Sequence, residues 1–282
     1  MKTLIKKSIL ASLAFSSFAM AQEPENDPAT FDSWKETFTS AQPAGETGKL
    51  GTDATIKVQE NQMFLSNSDT TKLMRMFGNP PGVYAGSIQA IDNSYTIIFD
   101  FESTGYVEDD EKGDLDADKI LKAFQESEEE INKQRQAQGY GTLTTVGWAF
   151  KPKYNEATNN LEWAITFEDG EGYQTVNHKI KLLGRRGVMN ATLLCDPELL
   201  SSLRPMLDET LAGFEYTDGN KYSQFEEGDM IAEYGLTGLM LGGGLLAAKL
   251  GFFSKFWKII VAGVVGFFAV IGKFFKKATG RA

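Results

Sequence analysis

Two long apolar blocks near the C-terminus constrain this chain more than any other part of its sequence. The first block, Tyr234 to Ala248, holds fifteen residues and no charge. A helix of that length reaches about 22 Å, which is short of the roughly 30 Å hydrocarbon core of a bilayer. Extension through Lys249 to Phe253 gives about twenty residues, provided that the Lys249 ammonium reaches the nearer interface. The sequence therefore predicts a membrane anchor over residues 230–282.

The second block, Ile259 to Gly272, permits two topologies. It spans a bilayer if Trp257 and the long side chains of Lys258 and Lys273 lengthen it, and the anchor is then a tight transmembrane hairpin. A single pass would instead leave all seven Lys and Arg residues after Ala248 on the cytoplasmic side. The block has no polar face, which disfavours a helix lying on the surface. The hairpin is preferred here, and the single pass stays open.

Small residues mark one stretch of the first block. Gly238 and Gly242 have the spacing at which two membrane helices pack closely. Gly243 and Gly244 extend the helix surface that has no side chains. The second block is the expected contact. Membrane helices also contain glycine without such a contact, so both interpretations remain.

The N-terminus has the pattern of a secretory signal peptide over residues 1–21. Three lysines precede an apolar run from Ser8 to Phe18, and Ala19-Met20-Ala21 forms a cleavage site. Residues 22–46 are polar and proline-containing, which predicts a flexible leader with one short helix at most. The main domain is thus expected on the periplasmic side of a bacterial cytoplasmic membrane.

Charge limits the partners of the exported part. Residues 22–229 contain 18 Lys and Arg against 37 Asp and Glu, so they carry about −19. Such a domain repels phosphate backbones, which excludes nucleic acid and favours cations or basic proteins. Cys195 is the only cysteine, so no disulfide forms within the chain and the fold depends on its core.

Residues 47–229 are predicted to form one α+β domain. Helical periodicity covers Asp116 to Gln138, and a second apolar stripe follows Asp196-Pro197. Alternation of Tyr95, Ile97, Phe99 and Phe101 with polar residues predicts a strand. Further strands are predicted at 145–150, 161–167, 173–183, 188–195 and 214–216. Their close succession favours a mostly antiparallel sheet with helices packed on one face.

Candidate chemical residues are few. His178 is the only histidine, and it lies in phase with apolar neighbours on a predicted strand, as a structural histidine does. Cys195 likewise shares the phase of Met189, Ala191 and Leu193, which predicts a buried, inert thiol. One histidine and one cysteine cannot complete a zinc site, and no catalytic residues or cofactors are predicted.

The densest polar cluster is an acidic loop that includes Asp109, Asp110, Asp114 and Asp116. Its spacing resembles the beginning of a calcium loop, but Lys119 occupies the position that needs glycine, and Gln125 the position of the bidentate glutamate. Acidic residues are also favoured at a helix entrance. A weak Ca²⁺ site and a helix cap are both open interpretations.

Several motifs give the chain a resemblance to a known family. They are Gly78-Asn79-Pro80-Pro81-Gly82, Gly105-Tyr106-Val107-Glu108-Asp109-Asp110, Val146-Gly147-Trp148-Ala149, Leu182-Leu183-Gly184-Arg185 and the glycine-rich anchor. From Gly48 to Lys277 the chain resembles uncharacterised bacterial membrane-anchored proteins defined by a domain of unknown function. This resemblance implies an exported domain on a C-terminal anchor. The closing order of strands and helix is also similar to the extrinsic PsbP-like fold, which implies binding without catalysis.

These observations favour a non-enzymatic envelope protein that acts through a protein partner or by self-association. The alternative is an exported hydrolase or a ligand- or cation-binding domain that uses the acidic loop near Asp109. A third hypothesis assigns the activity to the apolar tail itself, acting on the bilayer.

Overall fold

Ten strands and five helices form the domain in the computed structural model, which describes residues 30–242. The strands are β1 (Thr47–Leu50), β2 (Ala54–Lys57), β3 (Gln62–Ser66), β4 (Gly86–Ala90), β5 (Thr96–Glu102), β6 (Leu143–Asn155), β7 (Asn160–Asp169), β8 (Gln174–Leu183), β9 (Val188–Cys195) and β10 (Phe214–Tyr216). The helices are α1 (Phe31–Thr37), α2 (Asn67–Met76), α3 (Ala117–Ala137), α4 (Leu200–Ala212) and α5 (Leu236–Met240).

The strands build two antiparallel sheets. Seven of them form the main sheet in the order β3-β4-β5-β9-β8-β7-β6, and three form a smaller sheet in the order β1-β2-β10. Strand β9 lies between β5 and β8, so the centre of the main sheet joins segments that are distant in sequence. The predicted α+β class with a mostly antiparallel sheet is confirmed.

Helices cover both faces of the main sheet, so the expectation of helices on one face was wrong. On the first face, α2 packs over β3 and β4, while α3 and α5 pack over β6 and β7. On the second face, the smaller sheet and α4 enclose a core that includes Ile97, Phe99 and Leu193. The small sheet covers only part of this face, and the leucine side chains of α4 pack against the remainder.

Part of the predicted flexible leader belongs to the folded domain. Thr30 caps α1, because its hydroxyl accepts a hydrogen bond from the Ser33 amide at 3.3 Å. Phe38 follows the helix and is 1% exposed in the core over β3. Residues 1–29, which include the predicted signal peptide, lie outside the described residues.

A C-terminal strap, residues 222–242, returns across the domain. The Arg185 guanidinium holds it by donating from Nε to Asp229 at 2.7 Å and by pairing with Glu226 at 2.9 Å. The Tyr106 amide donates to the carbonyl of Met230 at 2.8 Å. Gly105 has a φ of 87°, and an added Cβ there would lie 2.5 Å from the same carbonyl oxygen, so a side chain at 105 would displace the strap.

The strap ends inside the domain. Helix α5 buries Leu236 and Leu239 against the core under α3, and Gly238 within it is buried against Tyr234. The helix ends at Met240, Leu241 is its C-cap, and Gly242 follows with a φ of 76°. The first apolar block therefore begins as part of the domain core.

None of the helices within residues 30–242 combines the length and the apolar character needed to cross a bilayer. The rest of the predicted hairpin, including Gly243, Gly244, Lys249, Trp257, Lys258 and Lys273, lies outside the described residues.

Tyr216 joins the two sheets and provides a stability test. Its buried hydroxyl donates to the Leu182 carbonyl at 2.7 Å and accepts from the Met189 amide at 2.8 Å. We expect Tyr216→Phe to lower the free energy of unfolding by about 1–2 kcal/mol, because both backbone groups lose their buried partner. Denaturant unfolding of the full chain in detergent measures this loss. Tyr222→Phe, which removes one partly exposed bond to Val107, should cost less; equal losses would contradict the role of Tyr216.

Candidate functional site

A charged strip crosses the centre of the first face of the main sheet. It consists of Asp100 and Glu102 on β5, Asn190 on β9, and Lys179 and Lys181 on β8. The register places Asn190 opposite Asp100 on one side and opposite Lys181 on the other. Because side chains alternate between the faces of a strand, all five point to the same face. The strip is thus built by pairing three strands, two of which are joined only through the third.

Hydrogen bonds connect the members of the strip. Asn190 donates from Nδ2 to Oδ2 of Asp100 at 2.6 Å and to Oε1 of Glu102 at 2.7 Å. Lys181 donates from Nζ to the same Glu102 oxygen at 2.7 Å. These contacts fall on one oxygen of each carboxylate. In the described part of the chain, Oδ1 of Asn190 is buried and has no hydrogen-bond partner.

Helices cover the sheet on both sides of the strip but leave the strip itself partly open. The core under α2 includes Ile98 and Leu194, and the core under α3 includes Trp163. Between them, Asp100 and Glu102 remain partly exposed, as does Lys179, while the Asn190 residue is 7% exposed. Charged groups of both signs are therefore partly exposed on this face of the sheet.

The strip shifts the pKa values of its own members. Burial, reinforced by neighbouring Glu102, raises the pKa of Asp100 to about 6. Burial together with the adjacent Lys181 ammonium lowers the pKa of Lys179 to about 8. Burial also disfavours the charge on Glu102, but Lys181 outweighs it and holds the pKa of that carboxyl below its usual value. Perturbed groups of this kind cluster at functional sites.

The acidic loop serves the structure of the domain. Asp116 caps α3 through a 3.1 Å hydrogen bond from the Lys119 amide, which confirms the predicted helix cap. Oε2 of Glu111 accepts a hydrogen bond from the Thr237 amide at 3.0 Å and so holds the strap. Asp109 lies 3.6 Å from the Lys112 ammonium.

Asp110 and Asp114 are exposed in the turns of the same loop. Within residues 30–242, no group of three or more acidic, histidine or cysteine side chains is placed to hold a metal ion.

Comparison with known families identifies the family of this chain. Residues 42–280 match the model of a family described as "Protein of unknown function (DUF2167)". The chain belongs to this family. The resemblance inferred from the sequence motifs is thereby confirmed, and no curated protein matches the DUF2167 chain significantly.

A solved structure also resembles this DUF2167 chain. It is the solution structure of cyanobacterial PsbP (CyanoP) from Synechocystis sp. PCC 6803, with 10% sequence identity and a TM-score of 0.35. The similarity covers 70% of this chain and 98% of the PsbP chain. A likeness at this level carries no conclusion about function.

A second polar network lies on the opposite face of the sheet. His178 is 1% exposed, and its Nε2 lies 2.7 Å from Oε1 of Glu162, which also accepts from Arg204 at 3.0 Å. The Arg204 guanidinium covers the Phe150 ring at 4.3 Å. A groove of about 510 Å³ adjoins these residues, lined by Ala149, Phe150, Pro197, Leu200, Ser201, Arg204, Pro205 and Asp208. His178 lies in the apolar phase of β8, as predicted.

Cys195 is also buried as predicted. It is 0% exposed in the core of the second face, and burial, assisted by nearby Asp196, raises the pKa of its thiol to about 12. The thiolate required for nucleophilic or redox chemistry is therefore disfavoured at neutral pH in this DUF2167 chain.

The sequence contained a signal for the strip that motif reasoning missed. Asp100 and Glu102 occupy the polar phase of β5, and Lys179 and Lys181 occupy the phase opposite His178 on β8. Asn190 occupies the phase opposite Met189 on β9. Charged residues in the polar phase of central strands indicate a functional face. The acidic loop has a high density of charge but no such position on a central strand.

Proposed function

We propose that this chain is an exported, membrane-anchored interaction domain that binds a protein partner over the charged strip without catalysing a reaction. The strip is the observation that supports it. Its charges pair with one another, as in Lys181 with Glu102, and one buried acceptor, Oδ1 of Asn190, lacks a donor in the described chain. A bound partner that donates to this oxygen would offset the cost of its burial.

The proposed location depends on the ends of the sequence. The signal-peptide pattern of residues 1–21 directs the domain out of the cytoplasm, and the apolar residues after Gly242 anchor it in the cytoplasmic membrane. The hairpin expected from the sequence would have to form after Gly242, because Leu236 to Leu241 are buried in the domain core. An anchored domain meets its partner near the membrane surface, where tethering raises the effective concentration.

Site-specific photo-crosslinking in intact cells tests the proposal. Ser103 is exposed and follows Glu102 directly at the end of β5, so a photoreactive amino acid at this position samples the surroundings of the strip. We expect a discrete protein adduct from Ser103 and none from Ser202, which is exposed on α4 at the opposite face. An adduct made of two copies of the chain would assign the site to self-association.

Two results would contradict the proposal. One is the absence of any protein adduct at Ser103 under conditions in which the variant reaches the membrane. The other is an adduct that forms equally at Ser202, because the strip would then have no preference over the opposite face.

A further inference from the structure

We infer that helix α5 withholds the start of the first apolar block from the membrane, so that this chain crosses the bilayer once, through its second apolar block. The residues after Gly272 then lie in the cytoplasm. This inference rests on the proposed function and specifies how the domain is anchored. It differs from the hairpin and from a single pass through the first block. The position of residues 236–241 inside the domain carries it.

The domain core already holds residues that a membrane helix of the first block would need. Leu236 and Leu239 are 0% exposed, and Met240 and Leu241 are 4% and 2% exposed. All four belong to the core cluster that also contains side chains of α3 and β7. Their apolar surface is therefore removed from water without any contribution from a bilayer.

Backbone geometry at both ends of α5 opposes a longer helix. At the first end, the Thr237 amide donates to Oε2 of Glu111 at 3.0 Å. At the other end, Leu241 is the C-cap, and Gly242 has a φ of 76°, the left-handed conformation that commonly ends a helix. A continuous membrane helix from Tyr234 would have to break the bond to Glu111, leave the core and change the backbone at Gly242.

The residues that the core retains make the first block too short to span. Residues 243–253 number eleven, and a helix of eleven residues reaches about 16 Å, against about 30 Å for the hydrocarbon core. Residues 256–275 number twenty, which corresponds to about 30 Å of helix. Lys258 and Lys273 lie near the two ends of that segment, where their ammonium groups can reach the interfaces. The second block is therefore the one with sufficient length.

The positive charges favour the same topology. Four of the seven Lys and Arg residues after Ala248 also follow Gly272. With the domain outside, a span through the second block places these four in the cytoplasm, where positive charge is preferred. A hairpin would place the same four on the outer side. Length and charge thus select the same arrangement.

Cysteine labelling of the full chain in spheroplasts tests the inference. Cys195 is 0% exposed, so the unmodified chain provides the blank. Three separate variants report the sides: Ser202→Cys on exposed α4, Ser254→Cys between the two blocks and Ala278→Cys after the second block. With a membrane-impermeant maleimide, we expect Ser202→Cys and Ser254→Cys to be labelled from outside. Ala278→Cys should gain label only after the membrane is permeabilised.

Each other pattern overturns the inference. Protection of Ser254→Cys with labelling of Ala278→Cys from outside would establish the hairpin, and protection of both would establish a single pass through the first block. Labelling of both from outside would show that neither block spans. In these three cases a labelled Ser202→Cys still supports export, and the adduct at Ser103 decides the interaction domain separately. Protection of Ser202→Cys would overturn the proposed location as well.

An insertion tests whether length decides the topology. Nine Leu and Ala residues added directly after Gly242 bring the first block to about twenty residues without altering α5. We expect the two labels to exchange sides, with Ser254→Cys protected and Ala278→Cys accessible from outside. Nine Gly and Ser residues at the same place are the matched control and should leave the pattern unchanged. If the apolar insertion also leaves the pattern unchanged, length does not decide the topology and the inference is wrong.

Discussion

Replacing Lys181 with alanine is expected to lower the free energy of unfolding by about 3 kcal/mol. The Lys181 side chain is 7% exposed, and its ammonium lies 2.7 Å from the Glu102 carboxylate. Removing it leaves Glu102 beside Asp100 without its hydrogen-bonded counter-charge, so that only Lys179 offsets two carboxylates, and a poorly compensated charge in a mostly buried site is costly. Chemical unfolding of the full chain in detergent, followed by tryptophan fluorescence, measures the effect.

An exposed ion pair of similar geometry supplies the control. Lys221 lies 2.9 Å from Glu215, but both side chains are exposed. Lys221→Ala should therefore change the stability by less than about 1 kcal/mol. Adding Glu102→Gln to Lys181→Ala should recover part of the loss, because the orphaned charge is then gone. Equal effects of the two lysine substitutions would show that the strip is not electrostatically distinct from the surface.

Replacing Asp100 with asparagine is expected to stabilise the protein by about 2 kcal/mol near neutral pH. Burial and Glu102 raise the pKa of Asp100 from 3.8 to about 6. Between these values the folded state binds a proton that the unfolded state has lost, so stability falls as the pH rises through this window. One pKa unit corresponds to about 1.4 kcal/mol, and partial exposure of the side chain reduces the total. Asparagine removes the charge and retains an acceptor for Asn190.

The stabilisation by Asp100→Asn is expected to depend on pH. The advantage of Asp100→Asn should be present above the folded pKa of about 6 and should disappear below the ordinary value of 3.8. Unfolding measured at neutral and at acidic pH checks both limits, with Asp208→Asn as an exposed control. A gain that is the same at both pH values, or a loss at neutral pH, would contradict the electrostatic explanation.

Because the Asp100 carboxylate is expected to lower the stability of the fold, its presence is better explained by a role in binding than by a role in folding. Stabilising substitutions that impair activity are a recurrent feature of binding and catalytic sites. If Asp100→Asn strengthens the fold and reduces the protein adduct at Ser103, the two results together locate the recognition surface on β5.

The sequence predicted several elements closely. Strands β9 and β10 have the predicted bounds, and α3 differs from its prediction by one residue at each end. Strands β3 and β4 were missed because each has only five residues and is buried on both faces, so neither length nor alternation marks it. In β4, Ser87 is satisfied by Thr70 at 2.9 Å, and Gln89 bonds to Thr96, which allows polar residues inside a core.

The candidate site was harder to predict because it depends on long-range register. Asp100 and Glu102 are visible as a polar phase, but Lys181 is 79 residues away from Glu102 and Asn190 is 88 residues away. Only the insertion of β9 between β5 and β8 brings them together. Local periodicity shows which face a residue occupies, but it does not show which strand lies beside it.

Side-chain contacts hold the strap against the domain along its length, through Arg185 to Asp229 and Glu111 to Thr237. Arg185 lies in the turn between β8 and β9, and Gly187 of that turn packs against the Glu102 carbonyl. Tension or tilting at the end of the strap therefore acts, through Asp229 and Arg185, on the strand ends that carry the acidic and basic side chains. Under the proposed anchoring and binding, a pull on the tail and a partner on the sheet would therefore act on the same strand ends.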